Sequence, residues 1–354
     1  MRIIDRYIAL ALLRTTLLAL FVLVSVFVFL SLIDQLEATG RGNYDVIKAI
    51  EYVCLTVPRL AYEIFPIAAI IGSMATLGIL SSNNELAVIR TSGVSSFRLA
   101  YSMCKGGILI IVIAIVVGEF IAPYSEQTAQ HLRSVALTEQ ITLKTKYGFW
   151  SRDGQSFINI RKILPGDRVE DIYIYEFDDI HRLRTSIYAK RAEYVNEQWL
   201  MEDIEQTNIQ DNQVSIKHLK RAAWASLLNP EVISLVMIKP QYLTLKGLFD
   251  HIKYLKTNGQ NSVRYEQALW AKIISPFTII VMVMFAIPLV QSNSRMVAIG
   301  QRVFIGCMIG IIFHMCNQIA GQLGIVYDIN PAFSVTSPTI LLALVTFWLL
   351  RRHV

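Results

Sequence analysis

Apolar positions in this chain follow two different rhythms. In six stretches, near Thr15–Ile33, Ile64–Leu80, Gly106–Ala122, Ile273–Val290, Val303–Leu323 and Phe333–Leu350, they run together with at most one formal charge. Such runs of about 17 to 20 residues match the length of a helix that crosses a hydrocarbon core about 30 Å thick. Between the third and fourth runs, from Pro123 to Gln267, the rhythm changes. "SFINIRKI", "VEDIYIYEF", "RTSIYAKRAEYV", "QWLMEDIEQTNI" and "QVSIKHLKRAAWASLL" alternate apolar with polar residues, and "SRDGQ", "LPGDR", "EFDDIHR" and "IQDNQ" separate them. Period-two alternation in short runs between turn clusters predicts half-buried strands of an all-β sandwich or jellyroll. A helix closes this region: Leu245, Leu248, Phe249, Ile252 and Leu255 form one face and Gly259 stops it.

The pattern therefore predicts an α-helical membrane protein of six transmembrane helices, with an all-β jellyroll-like domain inserted between helices 3 and 4. Residues 1–122 carry the first three helices, 123–267 the inserted domain and 268–354 the last three. The first run exceeds the 7–15 apolar residues of a signal-peptide core, and no small-x-small cleavage site follows it in "SLIDQLEATG". Composition agrees: 54% of residues are hydrophobic and 17% charged, against about 25% charged in soluble domains. The cysteines, Cys54, Cys104, Cys307 and Cys316, all lie in or beside spans. The inserted domain has none, so its stability must come from its core, which about 140 residues can supply. Cysteine metal sites and disulfides are not expected.

Charge sets the orientation. Basic residues near span ends are held on the cytoplasmic side, and with the N-terminus inside, that side collects Arg2, Arg6, Arg14, Arg90, Arg98, Lys105, Arg295, Arg302, Arg351 and Arg352, against Asp5 and Glu85. The short outer loops hold Arg41 and Lys48 against Asp34, Glu37, Asp45, Glu51 and Asp328. Trp270 and Trp348 stand at span ends as interfacial anchors. Both termini are expected in the cytoplasm and the β domain outside it. The net charge of +6 is then a topology signal, and no nucleic-acid partner is expected.

Catalytic motifs are missing. There is no G-x-x-x-x-G-K-[ST] to cradle a nucleotide phosphate, no H-E-x-x-H and no G-x-S-x-G. His131, His181, His218 and His251 are scattered through the inserted domain and read as solvated or edge-strand histidines. One short polar segment between the second and third runs stands out, "SSNNELAVIRTSGVSSFRLA". Ser81, Ser82, Asn83 and Asn84 suit an N-cap, Glu85 suits the first turn and Gly93 suits a C′ stop. About two turns of cytoplasmic helix are expected at roughly 83–93. It either rests on the inner leaflet or docks a partner, with Glu85 and Arg90 exposed and Leu86 and Ile89 in the partner's groove.

"DRYI" (Asp5–Ile8), "DQL" (Asp34–Leu36), "G-x-G-x-Y-D" (Gly40–Asp45), "ELAVIRTSG" (Glu85–Gly93), "EFIAP" (Glu119–Pro123) with Glu126 and Gln127, "KYLKTNGQ" (Lys253–Gln260) and "LWAKIISP" (Leu269–Pro276) occur in that order across six spans. In this the whole chain resembles the permeases of the lipopolysaccharide export ABC transporter, the LptF/LptG family, and its LptG-like half in particular. The resemblance implies a permease subunit that extracts lipopolysaccharide from the outer leaflet of a Gram-negative inner membrane and passes it towards a periplasmic bridge. It implies as partners an LptF-like permease, an LptB-like cytoplasmic ATPase dimer docked on the helix around Glu85, and an LptC-like single-span accessory protein beside span one. This chain would bind no cofactor itself, ATP and Mg being held by the ATPase.

The resemblance also points to a lipopolysaccharide site. Lipid A needs apolar walls with basic groups at one rim, and in the family bases at the positions of Arg59 and Arg133 are associated with its phosphates. Arg41, Lys272 and Asp34 are further candidates. Where relatives carry lysines around Asp-Gln-Leu, this chain has Ser31, Glu37 and Ala38, which removes positive charge from that rim. Each arginine could equally be a snorkelling or paired residue. Phe21, Val24, Val28 and Ser31 of span one, and His314, Asn317 and Gln318 at i, i+3 and i+4 of span five, are possible cavity lining or interhelical contacts. A proton-coupled secondary transporter remains open, although Asp34, Glu63 and Glu119 sit near outer span ends rather than at mid-membrane. A membrane-anchored periplasmic sensor or scaffold also remains open.

Overall fold

The computed structural model describes the chain apart from residues 1–2, 41–42, 94–95, 138–147, 154–155, 165–167, 179–181, 196–197, 211–212, 225–239, 293–297 and 353–354. Helices α1 (Ile3–Leu36), α2 (Val46–Ser82), the short α3 (Glu85–Thr91) and α4 (Ser96–Val116) come first. A π-helical segment, Val117–Ile121, runs from α4 into α5 (Ala122–Leu137). Strands β1 (Phe149–Asp153), β2 (Ser156–Leu164), β3 (Arg168–Phe177), β4 (Leu183–Val195), β5 (Gln198–Gln210) and β6 (Gln213–Trp224) follow. After a 3₁₀ turn at Pro240–Tyr242 come α6 (Leu245–Thr257), α7 (Val263–Ser292), α8 (Ile299–Val326) and α9 (Pro331–Arg352).

Among the described residues, six helical stretches are long and apolar enough to cross a membrane: α1, α2, Arg98–Arg133, Val263–Val290, α8 and α9. A bilayer leaves no water for backbone groups, so each span closes its hydrogen bonds within itself. The helices pack through one continuous core, in which Leu12, Phe65, Ile70, Met74, Met103, Met282 and Ile287 are almost fully buried. Close approach is bought by small residues. A Cβ on Gly72 would stand 2.3 Å from Thr16 Oγ1 of α1, and one on Gly310 would stand 2.9 Å from Ile67 of α2.

The third span does not stop at Ala122. It continues as α5 because Ala129, Leu132 and Ala136 recur at helical spacing and pack on Tyr44, Ala49, Tyr52 and Val53 at the start of α2. At 37 residues, α2 is about 55 Å long and outruns the hydrocarbon core, so its first turns lie beside α5 outside it.

The alternating segments form strands as expected. All are antiparallel neighbours in chain order, a six-stranded meander. Ile160, Ile172, Ala189, Ile204 and Leu219 lie opposite one another across five strands, on the face that buries Ile158, Ile174 and Trp199. A one-residue slip would turn this row outward. The first strand, β1, runs through Ser151–Asp153, which the sequence reading gave to a turn. Among the described residues the strands belong to one hydrogen-bonded sheet.

In α6, Leu248, Ile252 and Leu255 are buried as expected, whereas Phe249 is exposed. The helix starts at Thr244, whose hydroxyl accepts the Gly247 amide, and ends where Gly259 takes a φ of +62°. His251 is not a solvated or strand histidine. It is buried in α6, 4.4 Å from the Tyr265 ring, and its Nε2 finds no hydrogen-bond partner among the described residues. His131 and His218 are exposed, and His181 lies outside the described residues.

Candidate functional site

A cleft of about 330 Å³ opens between α2, α5, α7 and α8 at the end of the bundle that carries the sheet. Arg59, Tyr62, Glu63, Pro66 and Ile67 come from α2, Ala122, Pro123 and Glu126 from α5, and Gln241 and Tyr242 from the turn after the sheet. The remaining wall is built by α7, from Ala268 to Thr278, and by Phe313, His314, Asn317 and Gln318 of α8. A second cavity of about 220 Å³ shares Tyr62, Gly118, Lys272 and Ser275 with it and runs down past Ile111, Ala114 and Ile279. Pro66 and Pro276 lack the amides that would bond the carbonyls of Tyr62 and Lys272, so the helical ladders are interrupted at the cleft wall.

Arg59 is the centre of one charge network. Its Nη1 donates to Glu63 Oε1 and its Nε to Glu126 Oε2, each at 3.0 Å, and its guanidinium lies 5.0 Å over the Tyr242 ring. Glu126 is 1% exposed and accepts a second hydrogen bond, from Gln130 Nε2 at 2.7 Å. The Gln130 amide also reaches the Tyr52 hydroxyl, and Arg133 lies over the Tyr52 ring at 5.4 Å. Arg59 and Arg133 thus belong to one chain of contacts, but only Arg59 faces the cleft.

Lys272 is the second base of the cleft. Its Nζ donates to Glu119 Oε2 at 3.0 Å and to the Gly118 carbonyl at 3.4 Å. The π segment explains this acceptor. The Ala122 amide bonds Val117, and in the same register the Gly118 carbonyl would need an N–H from Pro123, which has none. Gly118 is obligatory because a Cβ there would stand 2.3 Å from the ring of Tyr62. Glu119 also accepts the backbone N–H of Leu245, the first residue of α6. One carboxylate therefore joins the third span, the fourth span and the helix that follows the sheet.

Both bases of the cleft are already paired within this chain, Arg59 with Glu63 and Glu126 and Lys272 with Glu119, so two cations meet three carboxylates. From sequence, Glu63 and Glu119 stand out only as acids near outer span ends and Glu126 only within a family stretch, none as the partner of a base, and Tyr62 does not stand out at all. Arg59 and Glu63 at i, i+4 in "PRLAYE" gave a local signal. Glu126 and Glu119 had none, since they meet their bases across 67 and 153 residues.

The remaining expected site residues divide. His314, Asn317 and Gln318 do line the cleft, His314 Nε2 and Gln318 Nε2 standing 3.2 Å apart. Arg133 sits on α5 outside it, Asp34 is exposed at the end of α1, and Arg41 lies outside the described residues. In span one, Val24 and Val28 pack against this chain's own core, Ser31 is half-buried and Phe21 is exposed, so that face does not line the cleft.

The polar segment after α2 is helical over Glu85–Thr91. Asn84, with φ of +62°, turns the chain, and its carbonyl accepts the Val88 amide to start α3. Glu85 is held by this chain, its carboxylate accepting from the Tyr7 hydroxyl at 2.8 Å and the Asn83 side chain at 3.2 Å. Leu86 corrects the sequence reading: it is 4% exposed and buried in the core of the bundle, so it fills no partner's groove. Val88, 65% exposed, takes the outward place, with Ile89 half-buried. The side chain of Arg90 lies outside the described residues. Arg302 of α8 is buried and donates to Ser81 Oγ at 3.4 Å, tying the last turn of α2 to the fifth span.

Residues 6–352 match the family model of the lipopolysaccharide export system permease LptF/LptG. The chain is 32% identical over 353 residues to the lipopolysaccharide export system permease protein LptG of Escherichia coli strain K12, covering 99% of this chain and 98% of that protein. It is 31% identical over 352 residues, with the same coverage, to LptG of Haemophilus influenzae. The match to LptF of Escherichia coli strain K12 is 23% identical over 187 residues, 52% of this chain and 51% of that protein.

Proposed function

This chain belongs to the lipopolysaccharide export permease LptF/LptG family, and we propose on that premise that it is the LptG-like subunit of such an exporter. The observation that carries the reading is the match over residues 6–352, which takes in both helical halves and the inserted β domain. The two alternatives left open by the sequence, a secondary transporter and a sensor or scaffold, draw no support from any relative.

The subunit sits in the inner membrane, with both termini in the cytoplasm and the sheet in the periplasm, in keeping with the distribution of basic residues. It pairs with an LptF-like permease. An LptB-like ATPase dimer, which holds the ATP and Mg, docks on α3, and an LptC-like accessory helix lies beside α1. The cleft at the sheet end offers apolar walls, Arg59 and the buried Lys272 as bases, and the neutral donors of α8, which suits a phosphorylated, multi-acyl lipid.

A phosphate reaching Arg59 competes with Glu63, whose side chain is 40% exposed, while the buried Glu126 keeps the guanidinium in place. Arg59 is in this way offered to a ligand without being set loose. The route from motor to cleft is short in covalent terms. Docking helix α3 follows α2 directly, α2 carries Arg59 at its other end, and Arg302 links the same turn to the α8 wall. Lys272, Glu119 and the start of α6 then connect the cleft to the sheet.

Co-expression with the candidate partner permease and ATPase tests the reading. The ATPase is expected to co-purify with the wild type and to be lost or uncoupled with Glu85→Ala. Absence of the ATPase from wild-type preparations overturns it.

A further inference from the structure

Away from the sheet, at the other end of the third span, lies a second cluster that the transport reading does not use. Its hub is Asp5 of α1, 2% exposed. Arg98 Nη2 donates to both Asp5 oxygens at 3.2 and 3.1 Å, Lys105 Nζ donates to Oδ2 at 2.7 Å, and Ser102 Oγ to Oδ1 at 2.6 Å. Both cations also lie on one aromatic face, Arg98 at 5.4 Å and Lys105 at 4.4 Å from the Tyr101 ring centre. Arg98, Tyr101 and Lys105 stand at i, i+3 and i+7, on one face of α4. The buried carboxylate fixes two long, flexible side chains, and the three ionisable groups sum to one positive charge.

Beyond Lys105 the same face is bare and apolar. Tyr101, Ile108, Val112 and Ile115 are each about half exposed, and their stripe runs about 21 Å along the helix. A preorganised base pair, an aromatic ring at headgroup depth and an apolar stripe of acyl-chain length follow one another in that order. We propose that this face binds an anionic phospholipid, its phosphate on Arg98 and Lys105 and an acyl chain along Ile108, Val112 and Ile115. The choice of occupant rests on charge: a zwitterionic lipid gains the stripe but loses most of the advantage of the bases. The bases lie at the far end of the third span from the cleft, and only the last residue of the stripe, Ile115, reaches the second cavity beside it; the site depends on this chain spanning a bilayer, not on what the cleft transports.

The test uses full-length protein purified in detergent, stripped of lipid and titrated with phosphatidylglycerol or phosphatidylcholine of identical acyl chains under native mass spectrometry. Phosphatidylglycerol is expected to bind at lower concentration. Lys105→Gln should weaken it about fivefold, the effect of one base at an anionic headgroup, and Lys105→Arg should retain it. Because Lys105 also holds Asp5, a second readout leaves the cluster intact: a benzoylphenylalanine photo-crosslinker in place of Val112 should capture phosphatidylglycerol over phosphatidylcholine. Equal binding of the two lipids overturns the proposal, as does undiminished binding by Lys105→Gln. Capture of a protein chain at position 112 in the assembled complex would also overturn it.

Discussion

Replacing Arg59 tests the charge network of the cleft, and the cost can be worked from its partners. Arg59→Met removes the ion pairs to Glu63 and Glu126. Glu63 is half-open to solvent and can rehydrate, whereas Glu126 is 1% exposed and keeps only the Gln130 amide. Leaving a buried carboxylate without its cation costs about 3–5 kcal/mol; the surviving hydrogen bond puts the expectation at about 3 kcal/mol. Glu126→Gln has nearly the same shape and leaves Arg59 paired with Glu63, so it should cost about 1.5 kcal/mol. In Arg59→Met/Glu126→Gln no buried charge is stranded, and the double variant should be less damaged than Arg59→Met alone. The coupling is then about 2 kcal/mol. Stability is read by titrating sodium dodecyl sulfate into mixed micelles and following helix content by circular dichroism for the wild type, both single variants and the double. Additivity of the two single effects to within about 0.5 kcal/mol would refute the pairing of Arg59 with a buried, ionised Glu126.

Gly118→Ala should destabilise the protein by about 1–3 kcal/mol because its Cβ meets the Tyr62 ring at 2.3 Å; adding Tyr62→Leu should restore most of the loss, measured by thermal unfolding in detergent. Burial holds the His251 imidazole below its ordinary value of 6.5, so below that pH the unfolded chain takes up a proton that the native chain refuses. Stability should therefore fall as pH drops from 7 towards 5, and His251→Phe should show a shallower slope over that range. Leu86→Ala opens a cavity in this chain's own core and should cost about 2–5 kcal/mol with no ATPase present. Val88→Glu, on the outward face of α3, should leave stability unchanged and reduce ATPase co-purification; the reverse pattern would return Leu86 to a partner's groove.

What could be read in advance follows the range of the interactions. Spans and strands are written locally, as unbroken apolar runs and as alternation, so β2–β6 coincide with the alternating segments and α1, α2, α7, α8 and α9 each contain an apolar run, though α1 begins at Ile3 and α2 at Val46, well before the runs at Thr15 and Ile64. The apolar run of the third span ends at Ala122 because α5 is polar on the side away from α2; it is held there by Ala129, Leu132 and Ala136 together with Glu126 on Arg59 and Gln130 on Tyr52. His251 looked solvent-facing among lysines, since the Tyr265 ring that covers it belongs to the next helix. Leu86 looked available to a partner because the core it enters comes from other helices. The cleft was half legible. Arg59, Lys272 and the α8 stripe were found, but the carboxylates that neutralise the bases and the π segment that brings Glu119 to Lys272 leave no mark at short range.

The central claim is that this chain moves lipopolysaccharide out of a bilayer by way of a separate nucleotide motor. The most direct measurement reconstitutes it with its partner permease, ATPase and accessory protein in liposomes containing lipopolysaccharide, and follows transfer to a soluble periplasmic acceptor by photo-crosslinking. The account predicts transfer that requires ATP and this subunit and that is lost with Glu85→Ala. Transfer that proceeds at the same rate without ATP, or that is driven by a proton gradient alone, would contradict it.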